Sequence, residues 1–309
     1  MELERYEENP VISPTENWWE NKAVFNCAAA RENGKVHILY RAIGDDGISR
    51  FGYAYSTNGL DVAGRQNTPN YESVGDELEK MGVEDPRITR IEDTFYITYT
   101  GASINPCCET RPRLVTSAPW RCRVGLLSTK DFQTYHKHGC ILPDMDNKDV
   151  VLFPEKVGGK YLMLHRTFPN IWMAYSEDLV HWHDHKLLMR VQPGAWDCDR
   201  IGAGAPPIKT ERGWLNFYHG VDHKRNYRLG IMLLDLNDPS KVIGRSTEPM
   251  LSPALDYEKN GLVPNVVFTC GVIEKDDRYY VYYGGADKVI GVATMERSDV
   301  EKVKLEKPV

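Results

Sequence analysis

Two adjacent carboxylates, Glu84 and Asp85, stand directly before Pro86 and Arg87 and lead into an apolar alternation over residues 88–91. Proline fixes the backbone and lacks a donor, so the two acids fall at the mouth of a strand. A carboxyl held there can act as a proton donor; the plainer reading is a charged turn in which Arg87 pairs with an acid. Other polar residues stand where apolar strands should end: Asn26, Arg41, Arg166, Arg200, His219, Asn265 and Asp287. One such arginine is ordinarily solvated surface. Recurrence along the whole chain favours convergence on one ligand. Arginine meets phosphate oxygens with a planar fork and aspartate accepts from vicinal hydroxyls, so the set suits a polyhydroxylated or phosphorylated ligand. Trp120, Trp172 and Trp196 are candidates for stacking on sugar faces, against the alternative of packing between elements.

Other chemistries lack their signatures. The sequence has no GxxxxGK[ST] loop, no GxGxxG after a strand and no HExxH helix, and its serines, Ser117 among them, lack a nucleophile elbow. The glycine-rich run Ile201-Gly202-Ala203-Gly204-Ala205-Pro206-Pro207 cannot open a helix and reads as tight packing or a turn.

Residues so far apart can meet only if repeated elements carry them to one place. Five segments share a texture: a turn residue followed by a β-rich run at 34–41, 93–100, 159–166, 213–219 and 277–284. Each is followed by a second strand-like stretch (52–56, 124–128, 172–176, 229–233, 290–294), in three cases with an apolar-Ser-x-Asp flavour. Each is preceded by an apolar one (25–30, 86–91, 150–157, 201–208, 263–273). Three or four strands per unit, repeated five times, predict an all-β fold, a five-bladed β-propeller over residues 1–309 as one domain. Its innermost strands would surround a channel into which their polar ends converge. A β-sandwich would supply short strands but no fivefold texture. Residues 71–81 read as a loop or short helical insertion without a strong cap.

Composition narrows the class. Of 309 residues 41% are hydrophobic and 27% charged, with a net charge of −6. That is ordinary for a water-soluble globular protein and argues against a nucleic-acid-binding surface. No apolar run reaches the length of a membrane span and the first residues lack a signal-peptide core, so a cytoplasmic location is expected. The seven cysteines, Cys27, Cys107, Cys108, Cys122, Cys140, Cys198 and Cys270, have no paired CxxC spacing and read as mostly reduced thiols; a crosslink among Cys107, Cys108 and Cys122 is the alternative. No metal is expected, and homo-oligomerisation is left open.

The ordered set Asn9-Pro10-Val11-Ile12, Asn26, Tyr40-Arg41-Ala42, Glu84-Asp85-Pro86-Arg87, Leu152-Phe153-Pro154-Glu155-Lys156, His165-Arg166, Ile201-Gly202-Ala203-Gly204, Tyr218-His219-Gly220-Val221, Val263-Pro264-Asn265-Val266 and Gly285-Ala286-Asp287 resembles glycoside hydrolase family 130, the inverting mannoside phosphorylases and mannosidases. The resemblance implies a five-bladed propeller. It implies that Asp85 is the acid, protonating the glycosidic oxygen through the 3-hydroxyl of the mannosyl unit, unlike the usual pair of flanking carboxylates. Inorganic phosphate would replace water, held by Lys148, Arg166, Arg200, His219 and Tyr227 as a largely cationic cluster. Lys148 stands where some relatives have Arg, and Arg200 where Lys is expected. Asn26, Arg41, Glu84, Arg87, Asn265 and Asp287 match mannosyl-binding positions, and Cys27 stands where some relatives have Ser.

The family's hydrolases lack the basic cluster, and burying several cations with no anion is costly, which favours phosphorolysis. The expected reaction converts a β-mannoside and phosphate, with no other cofactor, to α-mannose 1-phosphate and a shortened acceptor. A β-1,2-oligomannoside is preferred over a β-1,4 one without a physical account of the preference. The alternatives are a β-mannosidase using water and a non-catalytic carbohydrate-binding propeller. Acceptor choice would lie in loops 103–121 and 168–172.

Overall fold

Two-residue turns with both central residues at positive φ close the first hairpin of three repeats: Asn33-Gly34, Gly158-Gly159 and Asp276-Asp277. Asn, Asp and Gly tolerate this left-handed backbone best, and its twist matches that of the flanking strands. These are the turn residues that open three of the five β-rich runs. The second recurrent signal has an equally local cause. Asn58, Asp131, Asp178 and Asp235 each accept two backbone N–H groups through one side-chain oxygen, two and three residues onward, which turns the chain after the third strand.

The computed structural model describes residues 2–104 and 120–308. After a short strand β1 (Glu4–Arg5), blade 1 comprises β2 (Ala23–Glu32), β3 (Lys35–Ile43), β4 (Ser49–Ser56) and β5 (Val62–Arg65). Blade 2 comprises β6 (Val83–Ile91), β7 (Thr94–Ile104), β8 (Trp120–Thr129) and β9 (His136–Cys140). Blade 3 has β10 (Lys148–Leu152), β11 (Tyr161–Thr167), β12 (Asn170–Ser176) and β13 (His183–Met189). Blade 4 has β14 (Arg200–Ala203), β15 (Ile208–Thr210), β16 (Gly213–Val221), β17 (Tyr227–Leu234) and β18 (Val242–Ser246). Blade 5 has β19 (Val267–Lys275), β20 (Arg278–Gly285) and β21 (Val289–Glu296), and β22 (Leu305–Glu306) follows. Each sheet is an antiparallel meander from its innermost strand outward, which gives the five blades anticipated.

Two short strands from outside the repeats complete the sheets. Strand β1 pairs with β21 as the fourth strand of blade 5, and β22 adds to β18 at the rim of blade 4. Neither short strand has a signature in the repeat. Arg5 donates to both oxygens of Glu258 and to the Ser252 carbonyl, tying β1 to the segment before β19. Adjacent sheets pack face to face: Leu215, Phe217 and Ile231 of blade 4 meet Val267, Tyr279 and Val281 of blade 5 in one buried cluster. Between blades 1 and 2 the insertion at 71–81 holds a 3₁₀ turn, Glu77–Glu79. It does have a cap, since Asp76 accepts from the Leu78 amide.

Candidate active site

The innermost strands of blades 1, 2 and 3 each carry a bulge, between Phe25 and Ala28, Glu84 and Arg87, and Lys148 and Val151. The residue at the bulge takes a left-handed backbone in every case: Asn26 (φ 48°), Asp85 (φ 51°) and Asp149 (φ 58°). Asn and Asp are the side-chain-bearing residues that enter this region most readily, and the bulge re-aims their short polar groups. Asn265 and Asp287 on blade 5 share the conformation, at φ 60° and 51°. Of these five residues Asn26, Asp85, Asp149 and Asp287 bring their side chains to one cavity.

The site has two halves. In the first, Asn26 Nδ2 donates to Asp85 Oδ1 at 2.9 Å and Arg41 Nη1 to the same oxygen at 3.3 Å. No protein group among the described residues donates to Oδ2. Arg41 Nη2 and Lys148 Nζ grip Glu84, one on each oxygen, at 2.6 and 2.9 Å. Burial opposes the charge on Glu84, but these two cations outweigh it and hold the carboxyl at about 2. Asp287, with no hydrogen bond from any described residue, is pushed up to about 7 by burial, with Asp85 and Glu84 adding to the effect against Arg41 and Lys148.

In the second half Asp149, which no local sequence pattern marks, is central. Arg87 Nη2 donates to its Oδ1 at 3.0 Å and Arg166 Nη1 lies 2.8 Å from its Oδ2, with His219 Nε2 at 3.5 Å. Burial opposes its ionisation, yet the Arg166, Arg87 and Lys148 cations together hold it at about 2. A Cβ on Gly202 would lie 2.3 Å from Asp149 Oδ2 and 2.5 Å from His219 Cε1, so the glycine-rich run serves tight packing, as expected. Lys148 and Arg166 face each other in the β10–β11 register. The Arg200 guanidinium lies over the rings of Tyr227 and Phe168 and donates through Nε to Asp199.

Asn26, Arg41, Asp85, Lys148, Asp149, Arg166, Tyr227 and Asp287 line one cavity of about 160 Å³, with Val263, Val266 and Phe268 as its apolar wall. A larger cleft of about 540 Å³ lies between blades 4 and 5 and contains none of them. Among the described residues no group of three or more His, Cys, Asp or Glu is arranged to hold a metal ion.

Several expectations need correction. Arg87 is 1% exposed and spends its donors on Asp149 and on the carbonyls of Asp85, Ala203 and Gly204. It positions the site from behind and does not line the cavity. His219 is not part of a cationic cluster: burial lowers its pKa to about 3, with neighbouring arginines opposing Asp149, so the ring is neutral. Neither of its nitrogens has a hydrogen bond. The cations are not without anions either, since Lys148, Arg166 and Arg200 pair with Glu84, Asp149 and Asp199. Asn265 contributes its carbonyl to the Tyr227 amide. Trp196 packs on Tyr218, and Trp172 lies beside His165 in blade 3, neither lining the cavity. Cys27 is buried in the core between blades 1 and 5. Cys107, Cys108, Ser117 and most of loop 103–121 lie outside the described residues.

The family description that matches residues 2–305 is beta-1,4-mannooligosaccharide phosphorylase, of glycoside hydrolase family 130. The chain belongs to that family. It is 47% identical to a 1,2-beta-oligomannan phosphorylase of Thermoanaerobacter sp. (strain X514), over 97% of this chain and 99% of the relative. A beta-1,2-mannobiose phosphorylase of the same organism is 45% identical, over 98% and 99% of the two chains. The solved beta-1,2-mannobiose phosphorylase of Listeria innocua, in complex with beta-1,2-mannobiose, superposes with a TM-score of 0.85 at 32% identity, covering 98% of this chain and 99% of that one. As a family 130 protein the chain carries its Asp85 and Asp149 on equivalent bulges of neighbouring blades, the first held through Oδ1 by Asn26 and Arg41 and the second between the guanidinium groups of Arg87 and Arg166.

One consequence of the site's electrostatics is measurable without substrate. An acid whose folded pKa lies above its ordinary 3.8 keeps a proton that the unfolded chain has released, so Asp287 lowers stability as pH rises from about 4 towards 7. Asp287→Asn removes the penalty. Urea unfolding should find the variant more stable than the parent by on the order of 3 kcal/mol at pH 8 and equal to it at pH 3.

Proposed function

We propose that this chain cleaves β-mannosides by phosphorolysis, forming α-mannose 1-phosphate and a shortened acceptor with inversion. The observation that carries the reading is an asymmetry among clustered groups. Glu84 and Asp149 are gripped by cations on both oxygens and held at about 2, which makes them poor general bases. Asp85 lines the cavity and its contacts with cations and amides all fall on Oδ1, so that Oδ2 accepts no hydrogen bond among the described residues, whereas the Oδ2 of Asp149, though it too accepts no hydrogen bond, is ion-paired with Arg166 at 2.8 Å. Lys148 and Arg166 line the same cavity and Arg200 lies beside its Tyr227; among the described residues Lys148 uses one of three N–H groups, and the terminal nitrogens of Arg200 and Arg166 bond nothing beyond Asp149. One available acid facing unspent cationic donors suits an anionic nucleophile better than a base-activated water.

A phosphate oxygen held by Lys148, Arg166 and Arg200 attacks the anomeric carbon as the bond to the leaving oxygen breaks. The proton from Asp85 reaches that oxygen through the mannosyl 3-hydroxyl. His219 and Tyr227 supply neutral hydrogen-bonding groups beside the anion, and Asn26, Arg41 and Asp287 hold the mannosyl hydroxyls. Arg87 and Glu84 act through their neighbours, fixing Asp149, Arg41 and Lys148. Relatives at 45% and 47% identity named for β-1,2 linkages support that linkage over the β-1,4 of the family description. The five described cysteines are all unpaired, which supports a reducing, cytoplasmic setting. Incubation with β-1,2- and β-1,4-mannobiose, each with and without phosphate, tests the reading. Sugar phosphate formed only with phosphate, and faster from the β-1,2 disaccharide, is the expected result. Free mannose without phosphate would instead make the protein a mannosidase, and no turnover a binding propeller.

A further inference from the structure

The hairpins between second and third strands all lie at the end of the propeller where the cavity opens, because Lys148, Asp85 and Asn26 sit near the starts of their innermost strands. Among the described residues the exposed tryptophans and phenylalanines number three: Trp18 (55%), Trp120 (52%) and Phe168 (66%). All three are at that end, on three consecutive blades. The Trp18 carbonyl accepts from Asp45 in the β3–β4 turn of blade 1. Trp120 begins β8, opposite Ile104, in blade 2. Phe168 is in the β11–β12 turn of blade 3. Two of the rings are held by a guanidinium, Trp18 by Arg50 at 4.8 Å and Phe168 by Arg200 at 5.7 Å, while each side chain stays more than half exposed.

Exposed aromatics concentrated on one face mark a binding surface, and the cavity below decides what binds. Pockets for drug-sized ligands run from roughly 300 Å³ upward. A cavity of about 160 Å³ therefore takes one hexose ring, and the remaining units of an oligosaccharide must leave through the mouth. Resting on the phosphorolytic reading, we propose that Trp18, Trp120 and Phe168 form an arc of outer acceptor subsites. They stack on the C–H faces of sugar units beyond the scissile bond and so set the preference for chain length. Pinned aromatic rings supply contact area with little entropy left to lose, which suits a flexible glycan.

The test compares kcat/KM for β-1,2-mannobiose and β-1,2-mannotetraose in the parent, W18A, W120A and F168A, with calorimetric binding of mannotetraose to each in the D85N background. The tetraose-to-biose ratio should fall about three- to tenfold for each ring removed, and tetraose binding should weaken by a similar factor. F168A should also raise the KM for phosphate, because Arg200 loses its support. Unchanged ratios and unchanged tetraose binding would overturn the proposal, as would a change of oligomeric state with no change in either. If the parent binds mannotetraose through these rings but forms no sugar phosphate, the subsites stand and the phosphorolytic reading fails.

Discussion

Asp85→Asn should lower kcat for β-1,2-mannobiose by about 10³-fold, within the 10²–10⁴ that a positioned general acid supplies. The amide keeps an oxygen that can accept from Asn26 and Arg41, as Oδ1 does, so the bulge and its neighbours survive the change. The urea midpoint should therefore match the parent's, and the KM for the mannoside should move by less than the rate. What the variant lacks is the proton. A 4-nitrophenyl β-mannoside, whose leaving group departs without protonation, should recover much of the lost rate. Equal losses on both substrates would mean that Asp85 positions the sugar and donates nothing.

Asp149→Ala should produce the largest loss of stability, about 3–5 kcal/mol, read from the urea midpoint. Arg87 is 1% exposed, and removing its carboxylate leaves a buried guanidinium with only carbonyls for company. Arg166 loses its partner at the same stroke, so any folded fraction should show a raised KM for phosphate. Adding Arg87→Met to the variant removes the stranded charge and should return much of the stability without returning activity. A single variant as stable as the parent would show that the Arg87–Asp149 pair does not hold blades 2 and 3 together.

Legibility from sequence followed the range of the forces involved. The hairpins were readable because Asn33-Gly34 and Asp276-Asp277 answer to local backbone preference. Strands β1 and β22 were not, because two-residue strands form only where a finished sheet offers an edge. The position of Asp85 was readable from Pro86 and its strand. Asp149 escaped because Lys148-Asp149 looks like one more surface charge pair. Aligning Asn26, Asp85 and Asp149 at the same step of three repeats would have revealed it, since all three share the left-handed bulge. The neutrality of His219 and the back-facing placement of Arg87 depend on burial by distant blades, which no local pattern records. The partners of the basic residues are equally non-local: Glu84 and Lys148 are 64 residues apart.

In the proposed reaction one carboxyl and a phosphate replace the two carboxylates of an ordinary inverting glycosidase. Proton and phosphorus NMR of the initial product, from β-1,2-mannobiose in phosphate buffer, tests it most directly. The expected first-formed product is α-mannose 1-phosphate, in step with phosphate consumed and with none formed when phosphate is withheld. Free mannose appearing at a rate independent of phosphate, or a β-configured sugar phosphate, would contradict it.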